Sequence, residues 1–159
     1  AACALSLTLG ARQRPWAGGM GAHMDRLNDV ILLMGRLLVT ALFLPVGVHK
    51  LTNPDVLLTQ SLVKSGLPFP GLLTVIGIAV EIAGPLAILL GVFPRLSALL
   101  LIAFTLVATF VSHHFWTFPA AQWDLQFIQF LKTLGIVGGL MFYLVTGPGR
   151  FSLPFGRRW

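Results

Sequence analysis

The stretch that most constrains this chain is Gly71–Gly91, GLLTVIGIAVEIAGPLAILLG, which is 21 residues long and almost wholly apolar. An apolar run of about 20 residues is the length of helix that crosses the hydrocarbon core of a bilayer. One carboxylate, Glu81, stands at its centre, and Gly77 and Gly84 share its helix face. A charge at this depth is costly, and small residues let a second helix approach. We therefore expect Glu81 to point into a protein interior.

Composition assigns the rest of the chain to the membrane as well. Of its 159 residues, 56% are hydrophobic and only 10% are charged, whereas a soluble domain has about a quarter of its residues charged. The net charge of +6 would suggest nucleic acid in a soluble protein. Here the basic residues flank apolar runs, which argues against nucleic acid and indicates membrane topology. A single cysteine, Cys3, excludes an intramolecular disulfide and an all-cysteine metal or iron–sulfur site.

Four apolar runs predict an all-α integral membrane four-helix bundle, because long apolar runs in so short a chain cannot close a barrel. The predicted spans are residues 28–48, 71–91, 96–112 and 127–146. Between the first two spans, Pro54 and Asp55 predict the start of a short amphipathic helix on the membrane surface.

The N-terminus differs in character from the rest. Its apolar run is too short to span a membrane, and Met20 and Met24 are both well placed as natural starts. We expect residues 1–23 to be a disordered or non-native extension and residues 24–159 to form one membrane domain.

The arginines predict the orientation of the bundle. Four spans place both termini on one side of the membrane, and the excess of basic residues marks the cytoplasmic side. The termini share their side with Arg26, Arg95, Arg150, Arg157 and Arg158, whereas the opposite side carries Lys50 and Lys64. We therefore predict N-in and C-in, with the segment His113–Trp116 facing outward, which is the periplasm in a bacterium.

Each span carries a polar group on a face of small residues. The four groups are Arg36 with Thr40 and Gly47, Glu81 with Gly77 and Gly84, the series Thr105, Thr109 and His113, and Lys132 with Gly135 and Gly139. At a rise of about 1.5 Å per residue, Arg36 and Glu81 lie roughly 12 and 15 Å deep. We predict that these two form a structural ion pair near the midplane.

Outward of that pair, the pattern predicts a polar funnel. Lys50, His113 and His114 would form its rim, with Lys132 about 8 Å below the surface. One interpretation is a ligand or redox site lined by Thr109, His113 and Lys132, and the other is an interfacial cap of snorkelling side chains. Haem ligation by His49 and His113 has only weak support, and the residues offer no metal-ligand set.

Several segments resemble the DoxX family of small bacterial membrane proteins. They are GRLLVTALFLPVGVHKL, GPLAILLGVFPRLSALLL, SHHFWTFP and FLKTLGIVGGLMFYLVTGPGRFSL, which together cover about Leu32–Leu153. The family often has Asn after the lysine of the fourth span, where this chain has Thr133. The resemblance implies a four-helix inner-membrane protein tied to redox metabolism.

If the resemblance extends to function, the ligand is a quinone or quinol. Lys132 and His113 or His114 would then hydrogen-bond its carbonyls, and Glu81 would accept a proton. Further candidate ligand-binding residues are Lys50, Thr109 and Trp116.

The chain has no evident flavin, haem or iron–sulfur motif, so a partner subunit would carry the electrons. The alternatives are a non-catalytic accessory or assembly subunit of a larger membrane complex and, against the lack of an inverted repeat, a small transporter.

Overall fold

The structure, a computed structural model, describes residues 17–53 and 58–153 as an all-helical chain, with no strand in that part. The helices are α1 (Ala17–Thr52), α2 (Leu58–Lys64), α3 (Pro70–Leu90), α4 (Pro94–Ser112) and α5 (Ala120–Thr146), with a 3₁₀ turn at Phe115–Thr117. In this part of the chain, four helices are long and apolar enough to cross a membrane: α1, α3, α4 and α5. The predicted fold class is therefore confirmed.

The two central spans begin and end close to where the sequence predicts. Pro70 and Pro94 stand in the first turns of α3 and α4, where the missing amide proton costs nothing. Gly91 ends α3 with a φ of 68°, and Val92 N–H donates to the Ala87 carbonyl in a Schellman arrangement. A proline in the first turn and a glycine after the last turn are helix-boundary signals that can be recognised in the sequence.

The outer spans are longer than predicted. The helix α1 begins at Ala17, well before residue 28, and it runs through Pro45 to Thr52. The helix α5 begins at Ala120, seven residues before the predicted start of the fourth span at residue 127. Polar and aromatic residues hid these extensions, because the sequence argument took the apolar run as the helix. Residues 1–16 of the predicted extension lie outside the described residues.

The helices pack as an open arc. The backbone of α1 packs on α3, α3 on α4, and α4 on α5, whereas α1 and α5 approach each other closely at hardly any described point. Glycines allow the close contacts of α3 with α1 and with α4. A Cβ on Gly47 would lie 2.8 Å from Ile82, and one on Gly84 would lie 2.8 Å from Leu101. The arc leaves a seam between its two ends, α1 and α5.

The short helix α2 lies against α3. Leu62 is buried beside Ile78, and the Thr59 hydroxyl is 2.9 Å from that of Thr74. The predicted start of this helix at Pro54 and Asp55 falls outside the described residues.

Candidate functional site

The buried carboxylate of α3 pairs with the last basic residue of α1. Lys50 Nζ lies 2.9 Å from Glu81 Oε1 and 2.8 Å from Oε2. Glu81 is only 4% exposed. Gly47, about one turn before Lys50, allows this contact, because its missing side chain lets α1 pack closely against Ile82. A buried carboxylate needs such a partner, because an unpaired charge in this environment is strongly destabilising.

The predicted Arg36–Glu81 ion pair is therefore wrong. Thr40 donates to the Pro85 carbonyl, and Gly47 abuts Ile82, so the part of α1 level with Glu81 lies just short of Gly47. Counting depth from residue 28 placed Arg36 too deep, because Arg36 itself, and not residue 28, is level with the C-terminal end of α3.

Arg36 has a different task, which is to satisfy backbone carbonyls. Its Nε donates to Ile88 at 2.9 Å, and another nitrogen donates to Leu89. Its Nη1 donates to Pro148 at 2.8 Å and to Phe151 at 2.6 Å. The last carbonyls of a helix have no partner within it. The guanidinium supplies that partner for α3 and ties the segment after α5 to the same point.

The Lys50–Glu81 pair lines a partly open cavity of about 310 Å³ between α1, α3, α4 and α5. Its polar lining includes Thr105, Thr109 and His113 of α4 and its C-terminal cap, together with Gln129 and Thr133 of α5. Phe43, Phe104 and Ile136 supply apolar walls. Small-molecule sites have this character: they are mostly apolar, with a few placed polar groups, and begin at about 300 Å³.

Thr105 is a residue of this cavity whose hydroxyl lacks a hydrogen-bond partner among the described residues. Its side chain is 4% exposed, and its hydroxyl is the buried side-chain polar atom that has no hydrogen-bond partner among the described residues. The neighbouring Thr109 hydroxyl instead donates to the Thr105 carbonyl at 2.6 Å. Buried polar groups are nearly always paired, so an orphan hydroxyl in a cavity wall indicates a missing partner.

The ammonium of Lys50 has one N–H without an acceptor among the described residues. A lysine has three N–H groups, and the contacts to Glu81 use two of them. Lys50 and Thr105 both line the cavity. The hydroxyl oxygen of Thr105 lies within the cavity wall and is itself almost inaccessible.

Of the two histidines predicted for the rim of the site, His113 lines the cavity and His114 does not. His113 lines it, and its Nδ1 lies 2.8 Å from Gln126 Oε1. With that oxygen as acceptor, Nδ1 carries the proton and Nε2 is left as an acceptor. His114 instead packs among aromatic rings, 5.2 Å from Phe118 and 6.2 Å from Trp116 by centroids. Neither His114 nor Trp116 lines the cavity.

The predicted position of Lys132 inside the bundle is wrong. It is exposed on α5 and does not line the cavity, whereas its neighbour Thr133 does. Sequence reasoning also missed Gln129 as a lining residue. The spacing of Gln129, Thr133 and Ile136 repeats at i, i+4 and i+7, which marks one helix face and is the signal that would have found it.

No group of three or more His, Cys, Asp or Glu residues that could hold a metal ion occurs in the part of the chain that the structure describes.

The fold and the cavity together define a class: a four-span membrane protein with a largely buried ion pair beside a cavity that carries several polar groups. The chain belongs to the DoxX family, whose model matches residues 31–114. That match includes Arg36, Lys50, Glu81, Thr105 and His113.

Two relatives in Escherichia coli strain K12 cover most of the chain. Inner membrane protein YphA is 32% identical over 79% of this chain and 89% of its own length. Inner membrane protein YqjF is 33% identical over 86% of this chain and 100% of its own. A Surfeit locus protein 4 homolog of Schizosaccharomyces pombe is 35% identical over 42% of this chain and 22% of its own length. No solved structure matches the chain significantly.

Proposed function

We propose that this DoxX-family protein is a quinone- or quinol-interacting subunit of an oxidoreductase complex in the bacterial inner membrane. The observation that carries the proposal is the unpartnered Thr105 hydroxyl, buried in a cavity beside the Lys50–Glu81 pair. A quinone ring is flat, neutral and apolar, with carbonyl oxygens at its edges that accept hydrogen bonds. Lys50 and Thr105 present donors to such an oxygen, and Phe43 and Phe104 offer apolar walls for the ring.

The residues around the cavity also suit proton exchange. Reduction of a quinone to a quinol consumes protons as well as electrons. Glu81 and His113 are groups that hold and release protons, and both line the cavity. The electrons come from a cofactor in a partner subunit. Lys132 plays no part in this proposal, in contrast to the expectation from the resemblance, because it lies outside the cavity.

Thr105→Val tests the proposal directly. The substitution removes a hydroxyl that has no partner among the described residues, so it should leave folding unharmed or slightly improved. Loss of one hydrogen bond should reduce ligand retention about fivefold. The protein is purified in mild detergent, and the quinone in its lipid extract is quantified by chromatography against wild type.

Lys132→Ala is the matched control, since it alters a lysine of the same bundle outside the cavity. It should retain quinone at the wild-type level. Absence of quinone from the wild-type extract, or equal retention in Thr105→Val and wild type, would contradict the proposed site.

A second candidate function is that of a non-catalytic accessory subunit. The observation that favours it is the exposure of α5, which is the least buried of the four spans. In a complex, that face would pack against another subunit. Native electrophoresis of the protein from its own membranes separates the cases, because migration as a single-chain species would count against both a scaffold and an oxidoreductase subunit.

A further inference from the structure

A second cavity lies in the seam between α1 and α5, on the inner side of the one described above. It measures about 270 Å³, and its walls are almost wholly apolar, with Ile88 of α3 at the back. Arg36 borders it, but four of its five N–H donors are engaged by backbone carbonyls. The guanidinium at this wall is therefore largely hydrogen-bonded within the protein. The cavity itself suits a hydrocarbon.

The two cavities follow one another along α1. Gly35 and Val39 line the inner one, and Leu42, Val46 and Lys50 line the outer one. Steps of three or four residues keep these positions on one helix face. The backbones of α1 and α5 come close at hardly any described point, so this face lies along the seam from the inner cavity to the Lys50–Glu81 pair.

Glycines keep the seam wide without using the space for helix contact. A Cβ added to Gly35 or to Gly139 would meet nothing within 4 Å, and both residues line the inner cavity. Gly47 and Gly84, by contrast, are in tight contact with a neighbouring helix. Glycine inside a helix costs about 1 kcal/mol relative to alanine. At Gly35 and Gly139, no contact that an added Cβ would make with the described residues explains that cost.

We propose that the seam seats the isoprenoid tail of a tailed quinone, which enters sideways from the bilayer between α1 and α5. This inference rests on the proposed function, because the ring of the same molecule occupies the outer cavity. The charges of that cavity select this occupant over a phospholipid. Lys50 and Glu81 cancel each other, so the outer cavity suits a neutral ring and offers no net positive charge for a phosphate.

The test fills the seam from each side and compares two ligands. Gly139→Leu and Gly35→Leu place a side chain into the seam from α5 and α1 respectively. Both have room for the added Cβ, and both replace glycine by a strong helix former. The probes are a benzoquinone with a two-isoprene tail and the same ring with a methyl group in its place. Binding is measured by equilibrium dialysis of the purified full-length protein in detergent.

We expect the tailed quinone to bind each variant about tenfold more weakly, which is the usual cost of overfilling an occupied space. The tailless quinone should bind within about twofold of wild type, since the outer cavity is unchanged. Gly138→Leu is the control: its Cβ also meets nothing within 4 Å, but the residue does not line the seam. It should bind both probes as wild type does.

The outcomes separate this inference from the proposed function. Equal binding of the tailed quinone to wild type and both seam variants would overturn the tail site and leave the ring site standing. Equal loss of both probes in Gly139→Leu and Gly35→Leu would overturn it too, because a tail site must discriminate between them. Failure of wild type to bind either probe would overturn the proposed function itself.

Discussion

At the scale of single residues, the candidate site is built on Glu81 and its ion-pair partner Lys50. Glu81 lies buried at the middle of α3, and Lys50 reaches back from the outer end of α1 to hold both of its carboxylate oxygens. Pairing of this kind makes the charge tolerable without making it strongly stabilising. Lys50 keeps a third N–H beyond its two contacts to Glu81. At the same cavity, the Thr105 hydroxyl has no hydrogen-bond partner among the described residues.

Lys50→Met should destabilise the protein by about 3–5 kcal/mol, because it leaves the Glu81 charge buried and unpaired. The double variant Lys50→Met, Glu81→Gln should recover much of that loss, since it removes both charges. The free energy of unfolding is measured by titrating detergent-solubilised protein with a denaturing detergent. Lys64→Met, at an exposed lysine, should stay within about 0.5 kcal/mol of wild type.

If the double variant is no more stable than the two single losses added together, the pair is not coupled and the site geometry is wrong. A double-variant cycle isolates this term because both residues are in direct contact.

The burial of Glu81 could be predicted from the sequence, but its partner could not. A carboxylate amid 20 apolar residues has to face protein, and Gly77 and Gly84 mark which side does so. The choice between Arg36 and Lys50 depended on the register between α1 and α3. That register follows from side-chain packing at Thr40 and Gly47, which apolar periodicity does not reveal.

At the scale of elements, Arg36 fastens the chain's C-terminal segment to the inner end of α3. It donates to the carbonyls of Ile88, Pro148 and Phe151. Two further contacts hold the same junction. Leu153 N–H donates to the Leu90 carbonyl, and Arg150 N–H donates to Asp29 Oδ1 at 2.9 Å. Segment 147–153 is thus part of the bundle.

Arg36→Lys should cost about 3 kcal/mol, because a lysine cannot reproduce the planar set of donors and leaves several carbonyls unpaired. It should also free the C-terminal segment. The measurement is thiol labelling of Ser152→Cys in a protein whose native Cys3 is replaced by serine. Labelling should be faster in the Arg36→Lys background.

The control for this experiment is Arg26→Lys, at an exposed arginine of α1. Equal labelling rates in the Arg36→Lys and Arg26→Lys backgrounds would show that Arg36 does not hold the segment. The sequence predicted that the fourth span ends at residue 146, which is where α5 ends. It gave no sign of this fastening, because the acceptors are backbone carbonyls and carry no residue-type signal.

At the scale of the whole molecule, the bundle is an arc with an open side. The long apolar runs predicted four spans, and the span count is correct. They did not predict that the arc stays open between α1 and α5, since that depends on which helix faces meet. The seam and its two cavities follow from this feature of the packing.

The proposed orientation places both termini in the cytoplasm and the outer cavity toward the periplasm. Lys50 is paired with Glu81, so Lys64 is the exposed one of the two lysines predicted for the outer side. The predicted excess of arginines lies on the opposite, inner side. In intact cells, a membrane-impermeant maleimide should label Lys64→Cys and spare Leu153→Cys, each in the Cys3→Ser background. Labelling of Leu153→Cys with protection of Lys64→Cys would reverse the orientation.

The central claim is that the cavity beside Lys50, Glu81 and Thr105 binds a quinone, and photolabelling tests it most directly. A quinone bearing an azide on its ring is crosslinked to the protein in native membranes, and the modified peptides are mapped by mass spectrometry. Binding at this cavity predicts adducts on residues 42–50, 104–113 and 129–136, and unlabelled quinone should compete these adducts away. Adducts confined to the apolar groove between α3 and α4, lined by Leu73 and Val107 among others, or labelling that quinone does not compete, would contradict it.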